Sequence, residues 1–423
     1  KNKGKKDYVA KPDSTLERMA REQVLKATNK RFDRIQKTFN DDQRFTAFIN
    51  AITGLMDPHT DYFPPIEKRS FDEGMSGRFY GIGAQLGEDE NGIKIASVQP
   101  GGAAWKSREI DANDVILKVA QGSAEPVDVV GYATEDAVKI IRGNKGTEVR
   151  LTIKKTNGTV KVVSLIREEI VLDETFARSA IVTEGTDKIG YIYLPEFYAD
   201  YEREDGNRCS EDIAKEIVKF KAENVKGIVI DLRNNGGGAD FVYGPLTPLL
   251  YSRPIYSVGV EIRASEDNVR LRKAIADELR AEAPEVAQHL DRQVERMAAA
   301  LGTFVPGGEQ NFYIERLDTV RLFPKRVAIL VDNAASTGEQ FLLEARQSRK
   351  VTLFGKENSA GVLDFANVVG MPTPSGRHQL FWATSRSMRL PSDPVDPDGI
   401  APDIRIPADQ ADPVAYAQRW LER

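Results

Sequence analysis

The sequence predicts an α/β protein built from several structural units, and three observations support that prediction. At 423 residues the chain is longer than one hydrophobic core usually supports, so two to four units are expected. From Lys188 onward, continuous apolar strands alternate with amphipathic helices, which is typical of a sheet covered on both faces. Between about Ser76 and Arg167, short alternating strands indicate a compact β-rich module instead.

The elements follow from local patterns along the chain. Apolar residues at helical spacing predict a helical leader over about 14–53, and the proline-containing segment 57–65 ends that periodicity. Dense charge with helical periodicity predicts two helices within 265–300, inserted into the core as a cap, lid or contact surface. The remaining strands are expected at 93–98, 115–119, 149–153, 160–163, 189–194, 227–232, 327–331 and 351–354, with helices at 134–141, 210–223 and 337–347.

Composition narrows the function classes. The formal net charge of -5, with acidic and basic residues interspersed, argues against the broad basic face of a nucleic-acid-binding protein. The sequence contains no apolar run long enough to cross a bilayer. The single cysteine, Cys209, excludes an internal disulfide and a cysteine-rich metal site, and it leaves the cellular compartment open.

Ser336 stands where a buried strand and a small-residue turn lead into a helix. Free N–H groups and the helix dipole at such a position favour the negative charge that develops in acyl transfer. The amide of Thr337 is then a natural donor to that charge. The same residues also fit a helix cap, with Ser336 at the N-cap and Glu339 completing a capping box, and both roles can coexist.

Two glycine-rich segments have the character of binding loops. The strand 227–232 runs directly into the segment 234–238, which exposes amides at the carboxyl end of a strand, where α/β folds place ligands. A turn that needs glycine only for steric reasons is the alternative. Farther upstream, Tyr80-Gly81-Ile82-Gly83 precedes a strand, and its glycines let successive N–H groups point into one concavity that can hold a carboxylate.

The upstream loop belongs to a pattern that resembles PDZ domains. Tyr80 to Gly83 is followed by Val98-Gln99-Pro100-Gly101-Gly102-Ala103-Ala104 and by the strand segment 114–119, in the order found in that module. PDZ domains bind an extended C-terminus by β-augmentation and hold its terminal carboxylate in such a loop. The resemblance therefore implies a peptide-binding role for Tyr80, Gly81, Ile82 and Gly83. A glycine-rich hairpin without a ligand is the alternative.

Three further segments resemble the carboxyl-terminal processing, or tail-specific, serine proteases. They are Asp57-Pro58-His59-Thr60, the segment 190–198 and the segment 227–238. The resemblance implies a crotonase/ClpP-like α/β core with an inserted β-rich PDZ domain and a helical leader. It also implies that Ser336 is the nucleophile, that the amides of Gly238 and Thr337 bind the oxyanion, and that no metal or organic cofactor takes part.

The resemblance is incomplete at the general base. The lysine of these enzymes follows the nucleophile helix in a Gly-Lys-Gly-Thr-Val-Gln-like stretch, and Gly361 stands at about its place here. Lys356, five residues earlier and beside Glu357, is a weak candidate base, and a solvated surface lysine is the alternative interpretation.

Histidine is the other candidate for the base, because related branches of the superfamily pair serine with histidine. The chain contains His59, His289 and His378. His59 belongs to the Asp-Pro-His-Thr segment and is interpreted as structural, His289 lies in the charged insert, and His378 is expected in a turn. Folding could bring any of them close to Ser336, and no motif selects one.

The sequence patterns and the resemblance together divide the chain into five segments: 1–75, helical leader; 76–168, PDZ domain; 169–264, first part of the protease core; 265–300, charged helical insert; and 301–423, second part of the core. The resemblance covers roughly 40–265 and 320–407, so it leaves the leader and the charged insert outside. The segment after Ser359 resembles relatives that lack the lysine. This leaves open a natural mosaic or an artificial fusion near Gly238.

The implied function is that of a serine endopeptidase that captures protein C-termini through its PDZ domain and cleaves peptide bonds by acyl-enzyme chemistry. Its partners would be proteins or peptides with free C-termini, in a periplasmic or other extracytoplasmic setting, and a homo-oligomer is left open. Two alternatives remain. The chain could be an inactive pseudoprotease that binds peptides, or its core could bind a small ligand.

Overall fold

The structure of the chain is a computed structural model. It describes residues 12–422 except 40, 77–78, 90–91, 171–175, 185–186, 200–205, 240–241, 375 and 377, so the first eleven residues of the predicted leader lie outside the described part. The chain divides into two compact units. The first comprises Lys1–Ile49 and Phe79–Ile170, and the second comprises Asn50–Arg78 and Val171–Arg423.

The helices of the described residues agree with the sequence patterns over the leader, the module helix, the two core helices and the insert. Numbered in chain order, they are α1 (Asp13–Thr38), α2 (Asp41–Thr53), α3 (Pro65–Ser76), α4 (Ala103–Ser107), α5 (Thr134–Ile141), α6 (Cys209–Ala222), α7 (Thr247–Leu250), α8 (Glu266–Leu279), α9 (Pro284–Ala298), α10 (Thr337–Ala345) and α11 (Pro413–Glu422). The prediction of two helices within 265–300 is confirmed by α8 and α9. Among these helices, none combines the length and apolar character needed to cross a bilayer.

The described strands include each of those expected from the sequence and several that were not. In chain order they are β1 (Asp61–Phe63), β2 (Phe79–Gly81), β3 (Ala84–Asp89), β4 (Gly92–Val98), β5 (Val115–Gln121), β6 (Val127–Asp128), β7 (Glu148–Lys154), β8 (Val160–Ile166), β9 (Glu168–Ile170), β10 (Arg178–Glu184), β11 (Asp187–Tyr193), β12 (Gly227–Asp231), β13 (Ile255–Val258), β14 (Val260–Arg263), β15 (Phe304–Pro306), β16 (Phe312–Glu315), β17 (Val327–Leu330), β18 (Val351–Gly355), β19 (Phe365–Pro372), β20 (Gln379–Ser387) and β21 (Ile404–Arg405).

The first unit is built around an antiparallel sheet with the strand order β3-β4-β5-β7-β8, and β6 pairs with β5. Its core follows the two-residue period of a strand, because Val149, Leu151 and Ile153 on β7 are fully buried while the residues between them are partly exposed. Helix α5 buries Ala137 and Ile141 in the same core. Strand β3 stands at one end of the sheet order.

The second unit contains a sheet with the order β10-β11-β12-β17-β18-β21. Strand β10 is antiparallel to β11, and the other neighbours are parallel. In the register of β12 and β17, Asp231 pairs with Leu330. Because the carboxyl ends of parallel strands meet at one edge, the glycine-rich loop after β12 and the turn before α10 emerge side by side.

Both faces of this sheet are covered, as the sequence predicts. Ile228 and Ile230 on β12 join a core with the buried residues of α6 and α10. Val229, between them, faces the opposite way and joins a second core with Ala417 and Leu421 of α11. This alternation explains why the strands are continuously apolar.

A second, antiparallel sheet in the same unit was not predicted from the sequence. Its order is β1-β20-β14-β15, and β19 pairs with β20. Asp61 of β1 lies opposite Phe381 of β20, so the segment that follows the Asp-Pro-His-Thr motif is fixed to the C-terminal part of the chain. Each strand of this sheet is partly exposed and therefore lacks the continuous apolar character that marks the parallel strands.

Candidate active site

Ser336 lies at the junction between β17 and α10, where it is the N-cap residue of the helix. Its φ of 51° is in the left-handed region, which is unfavourable for a residue other than glycine. Its amide donates to Glu339 Oε2 at 3.1 Å, and its carbonyl accepts from the Glu339 amide at 2.8 Å. The predicted helix cap is confirmed, and the strained strand-to-helix turn resembles those that present a nucleophilic serine.

The glycine-rich loop after β12 packs directly against Ser336. A Cβ atom placed on Gly237 would lie 2.8 Å from Ser336 Cβ. Asn235, which is fully buried, accepts from the Gly237 amide at 2.8 Å and donates to the Leu194 carbonyl at 2.9 Å through its side chain. Its own carbonyl accepts from the Ala335 amide at 2.9 Å. The glycine-rich loop and the turn that contains Ser336 are therefore held together by hydrogen bonds.

Gly238 ends this loop with a backbone conformation that requires glycine. Its φ is 135°, and a Cβ there would lie 2.4 Å from the carbonyl oxygen of Phe197. Its carbonyl accepts a hydrogen bond from the Thr337 hydroxyl at 2.8 Å. Within the described part of the chain no hydrogen bond engages the Gly238 amide. This amide is thus available to a ligand in front of Ser336.

His59 is presented by a turn that Asp57 closes. The Asp57 carboxylate accepts from the amides of His59 and Thr60 at 2.8 Å each, and from the Thr60 hydroxyl at 2.5 Å. Strand β1 follows at once and pairs with β20. The turn is consequently fixed on both sides, which defines the position of the imidazole.

A cavity of about 710 Å³ in the second unit is lined by His59, Ser336, Gly238 and Thr337. The sequence had indicated a structural role for His59, and the structure places its side chain at the same cavity as the candidate nucleophile. His289 instead contacts Gln293 in α9. A serine, an imidazole and a loop amide around one cavity are the groups that acyl transfer requires.

The Asp396 carboxylate interacts electrostatically with His59. Burial raises its pKa, while hydrogen bonds from the amides of Asp364 and Leu363, together with the charge of His59, act in the opposite direction. His59 Nδ1 and Asp396 Oδ2 are among the buried side-chain atoms that have no hydrogen-bond partner within the described residues. His59 and Asp396 thus interact electrostatically, and each keeps one buried atom that no described residue engages.

Glu339 connects the nucleophile turn to the segment where the lysine of the related enzymes would stand. Its fully buried carboxylate accepts from the Ser359 hydroxyl at 2.6 Å and from the amides of Gly361 and Val362 at 2.7 and 2.9 Å, in addition to the amide of Ser336. Burial raises the pKa of this carboxyl, and the four donors oppose that effect. The segment 359–362 is thereby anchored to the start of α10.

Lys356 and Gly361 show how this chain departs from a lysine-based site. The Lys356 ammonium donates to the carbonyl of Ala408 at 3.2 Å, and Lys356 is not among the residues that line the cavity of Ser336. Gly361 has a φ of 72°, and a Cβ there would lie 2.3 Å from the carbonyl oxygen of Pro397. The position therefore has no room for a side chain.

We expect Gly361→Lys to destabilise the fold by about 2–5 kcal/mol, because a left-handed non-glycine residue and a forced contact both cost energy. We also expect it to leave a His59→Asn variant inactive. Urea unfolding and peptide hydrolysis measure the two effects. Gly302→Lys is the matched control, since Gly302 has a φ of 85° in open space. Equal stability of the two lysine variants, or restored hydrolysis, would contradict the steric argument.

The Tyr80–Gly83 loop lies in the first unit, ahead of β3. Gly83 has a φ of 71°, and a Cβ there would lie 3.0 Å from Gly102 Cα. The carbonyls of Ile82 and Gly83 accept from the amides of Ala104 and Gln99, both at 2.8 Å. In the described residues no backbone carbonyl outside the strands accepts from the amides of Ile82 and Gly83. The loop is thus held by its carbonyls and keeps its N–H groups available.

Sequence reasoning named His59 among three candidate histidines without selecting it, and it assigned no role to Asp396. His59 carried a signal in the Asp-Pro-His-Thr segment, but that segment is a tight turn by itself and indicates no partner. Asp396 lies in Asp396-Pro397-Asp398-Gly399, which reads as a turn. His59 and Asp396 could have been found by searching the sequence for two separate turns, one of which holds a histidine and the other a carboxylate.

Comparison with known proteins agrees with this organisation. Residues 188–406, just over half of the chain, match peptidase family S41. Residues 70–154 match the PDZ domain, and residues 1–66 match the tail specific protease N-terminal domain.

Among curated relatives, the tail-specific protease of Haemophilus influenzae is 32% identical over 217 residues, which are 51% of this chain and 30% of that protein. A probable CtpA-like serine protease of Staphylococcus aureus is 31% identical over 217 residues, which are 51% of this chain and 39% of that protein. The matched segment thus spans less than half the length of either relative.

Solved structures with similarity include the photosystem II D1 C-terminal processing protease, with 17% identity, coverage of 87% of this chain and 82% of that chain, and a TM-score of 0.40. Mature CPAF complexed with lactacystin has 18% identity, coverage of 88% and 85%, and a TM-score of 0.45. The family matches carry the assignment: the chain belongs to peptidase family S41 and contains a PDZ domain.

Proposed function

We propose that the chain is a serine endopeptidase in which Ser336 is the nucleophile and His59 is the general base. The observation that supports this most directly is the shared cavity, which Ser336, His59 and Gly238 all line. His59 replaces Lys356 as the base in this proposal, because Lys356 is engaged with Ala408 and does not line the cavity.

In the proposed reaction Ser336 Oγ attacks the carbonyl carbon of a peptide bond while His59 accepts the hydroxyl proton. The carbonyl oxygen becomes an oxyanion and accepts hydrogen bonds from the amides of Gly238 and Thr337. His59 then protonates the leaving nitrogen, and an acyl-enzyme on Ser336 remains. Water, activated by His59, hydrolyses this ester and returns the proton to Ser336, while Asp396 orients the imidazole.

We further propose that the PDZ domain captures substrate C-termini. The amides of Ile82 and Gly83 would hold the terminal carboxylate, and the peptide would extend β3 at the end of the sheet order. Tyr80 and Gly81 lead into the same loop. Proteins or peptides with free C-termini are the corresponding substrates.

The remaining proposals concern organisation. We assign 1–75 to the helical leader, 76–168 to the PDZ domain, 169–264 and 301–423 to a crotonase/ClpP-like core, and 265–300 to the insert. Family analogy supports a periplasmic or other extracytoplasmic location, and self-association is compatible with it.

Labelling with a fluorophosphonate probe tests the catalytic proposal, because such probes react with activated serine hydroxyls. We expect one adduct, located by mass spectrometry on the peptide that contains Ser336 and absent after heat unfolding. Labelling of the unfolded chain alone, or no labelling across a wide pH range, would favour an inert peptide-binding protein over an enzyme.

Peptide binding tests the PDZ proposal separately. We expect Gly83→Ala to weaken binding of a free C-terminal peptide by about tenfold or more, because left-handed alanine is strained and its Cβ would crowd Gly102. Fluorescence anisotropy with free and amidated C-termini measures this. Gly158→Ala is the control, with a φ of 85° in open space on the β7–β8 turn. Equal binding of the free and amidated peptides would refute carboxylate capture.

A further inference from the structure

One wall of the cavity is formed by residues of α10 that are in line with the nucleophile. Gln340 and Glu344 follow Ser336 at intervals of four residues, and all three line the cavity. Residues at this spacing share one face of a helix, and a rise of about 1.5 Å per residue puts Glu344 about 12 Å along the axis from Ser336. A carboxylate therefore stands two helical turns from the site of attack.

The two oxygens of the Glu344 carboxylate differ in their hydrogen bonds. Its Oε1 atom accepts hydrogen bonds from Ser257 Oγ at 2.6 Å, Gln340 Nε2 at 2.8 Å and Tyr243 Oη at 3.1 Å. These three neutral donors also line the cavity. The residue is 6% exposed, and in the described part of the chain Oε2 accepts no hydrogen bond. A buried charge with one vacant oxygen favours a cationic partner.

The charged residues around Glu344 also favour a cationic partner. Arg389 is the guanidinium of this wall, and its Nε lies 3.8 Å from Asp364 Oδ1. Burial lowers the pKa of Arg389, and the carboxylates of Asp364, Asp393, Asp396 and Glu344 oppose that effect. The pKa of Glu315 is raised by burial and by the charge of Glu344. Carboxylates thus outnumber the Arg389 guanidinium in this group.

We propose that Glu344 selects substrates in which lysine or arginine supplies the scissile carbonyl. The basic side chain of the substrate would bind the Glu344 carboxylate and pass Gln340 between Ser336 and Glu344. This rests on the proposed function, because it takes Ser336 as the point of attack. A lysine stem reaches about 6 Å from its Cα. A basic side chain that runs along this wall of the cavity therefore extends from the site of attack towards Glu344.

Binding without turnover tests the proposal. Peptides with amidated C-termini, which lack the carboxylate that a PDZ loop would hold, are titrated into the Ser336→Ala chain by fluorescence anisotropy. They differ only in lysine, arginine, glutamine or norleucine at the acyl-side position. We expect the two basic peptides to bind about tenfold or more tightly than the neutral ones. We expect Glu344→Gln, in the Ser336→Ala background, to abolish that difference.

Glu315→Gln is the matched control, since it removes a nearby exposed charge that does not line the cavity. We expect it to keep most of the preference. An equal loss in both variants, or no preference for basic peptides, would overturn the proposal. If Glu344→Gln does not fold, peptides with ornithine or diaminobutyrate in place of lysine test the same contact. Their affinity for the Ser336→Ala chain must fall as the side chain shortens. Equal affinities across the series would refute the contact between the ammonium group and Glu344.

The unsubstituted chain with the same peptides separates this inference from the proposed function. Cleavage after basic and neutral residues at equal rates would leave the endopeptidase proposal standing and refute the role of Glu344. Selective binding of basic peptides without any cleavage would support the role of Glu344 and refute the endopeptidase.

Discussion

Replacing Ser336 with alanine is expected to lower kcat/KM for peptide hydrolysis by about 10³-fold or more, while peptide binding persists. In the proposed reaction the hydroxyl oxygen forms the covalent bond of the acyl-enzyme, and the amides of Gly238 and Thr337 act only on an oxyanion that has formed. Hydrolysis of a quenched-fluorescent peptide and binding of an uncleaved analogue measure the two effects. The loss should therefore appear in kcat rather than in the dissociation constant.

Ser392→Ala serves as the control for this variant. Ser392 is exposed, and its hydroxyl donates only to the carbonyl of Arg389 at 3.2 Å. We expect its kcat/KM to stay within about twofold of the unsubstituted chain, as is usual for surface changes. Hydrolysis by Ser336→Ala at a comparable rate would show that another group is the nucleophile.

Replacing His59 with asparagine is expected to lower kcat by about 10²–10⁴-fold, the usual contribution of a general base. Asparagine keeps the backbone amide that donates to Asp57, so the turn should persist. Added imidazole should restore part of the activity of His59→Ala by occupying the vacated space. A residue with a purely structural role would show no such rescue.

Three other replacements make the comparison decisive. His289→Asn and His378→Asn change the remaining histidines, of which His289 contacts Gln293 and His378 stacks on Tyr62 with ring centroids 5.2 Å apart. Lys356→Ala removes the ammonium that donates to Ala408. We expect each to keep kcat within about threefold. A large loss in Lys356→Ala together with an active His59→Asn would restore the lysine as base.

The sequence was informative about the parallel core because its strands are buried on both faces. Ile228, Val229 and Ile230 are apolar in succession, which gives a strong local signal. The glycine-rich loop was recognised as a binding position because it follows the carboxyl end of a buried strand, where α/β folds place ligands. Local pattern and a topological rule were together sufficient for these parts.

The proposed base, His59, could not be predicted by the same means. His59 reaches the cavity because β1 pairs with β20, and short, partly exposed strands give little sign of their partners. The proposed roles of Gln340 and Glu344 could not be predicted for another reason. Polar residues at four-residue spacing are typical of any amphipathic helix. Only the cavity distinguishes that face from a solvated one.

The pairing of β1 with β20 also determines when, during folding, the proposed active site is completed. Asp61 and Phe381 are far apart in the sequence, and contacts between distant segments form late because loop closure must come first. A chain that lacks β20 has no partner strand to fix the segment that follows His59. Under the proposed mechanism, peptide hydrolysis therefore depends on the completed pairing of β1 with β20.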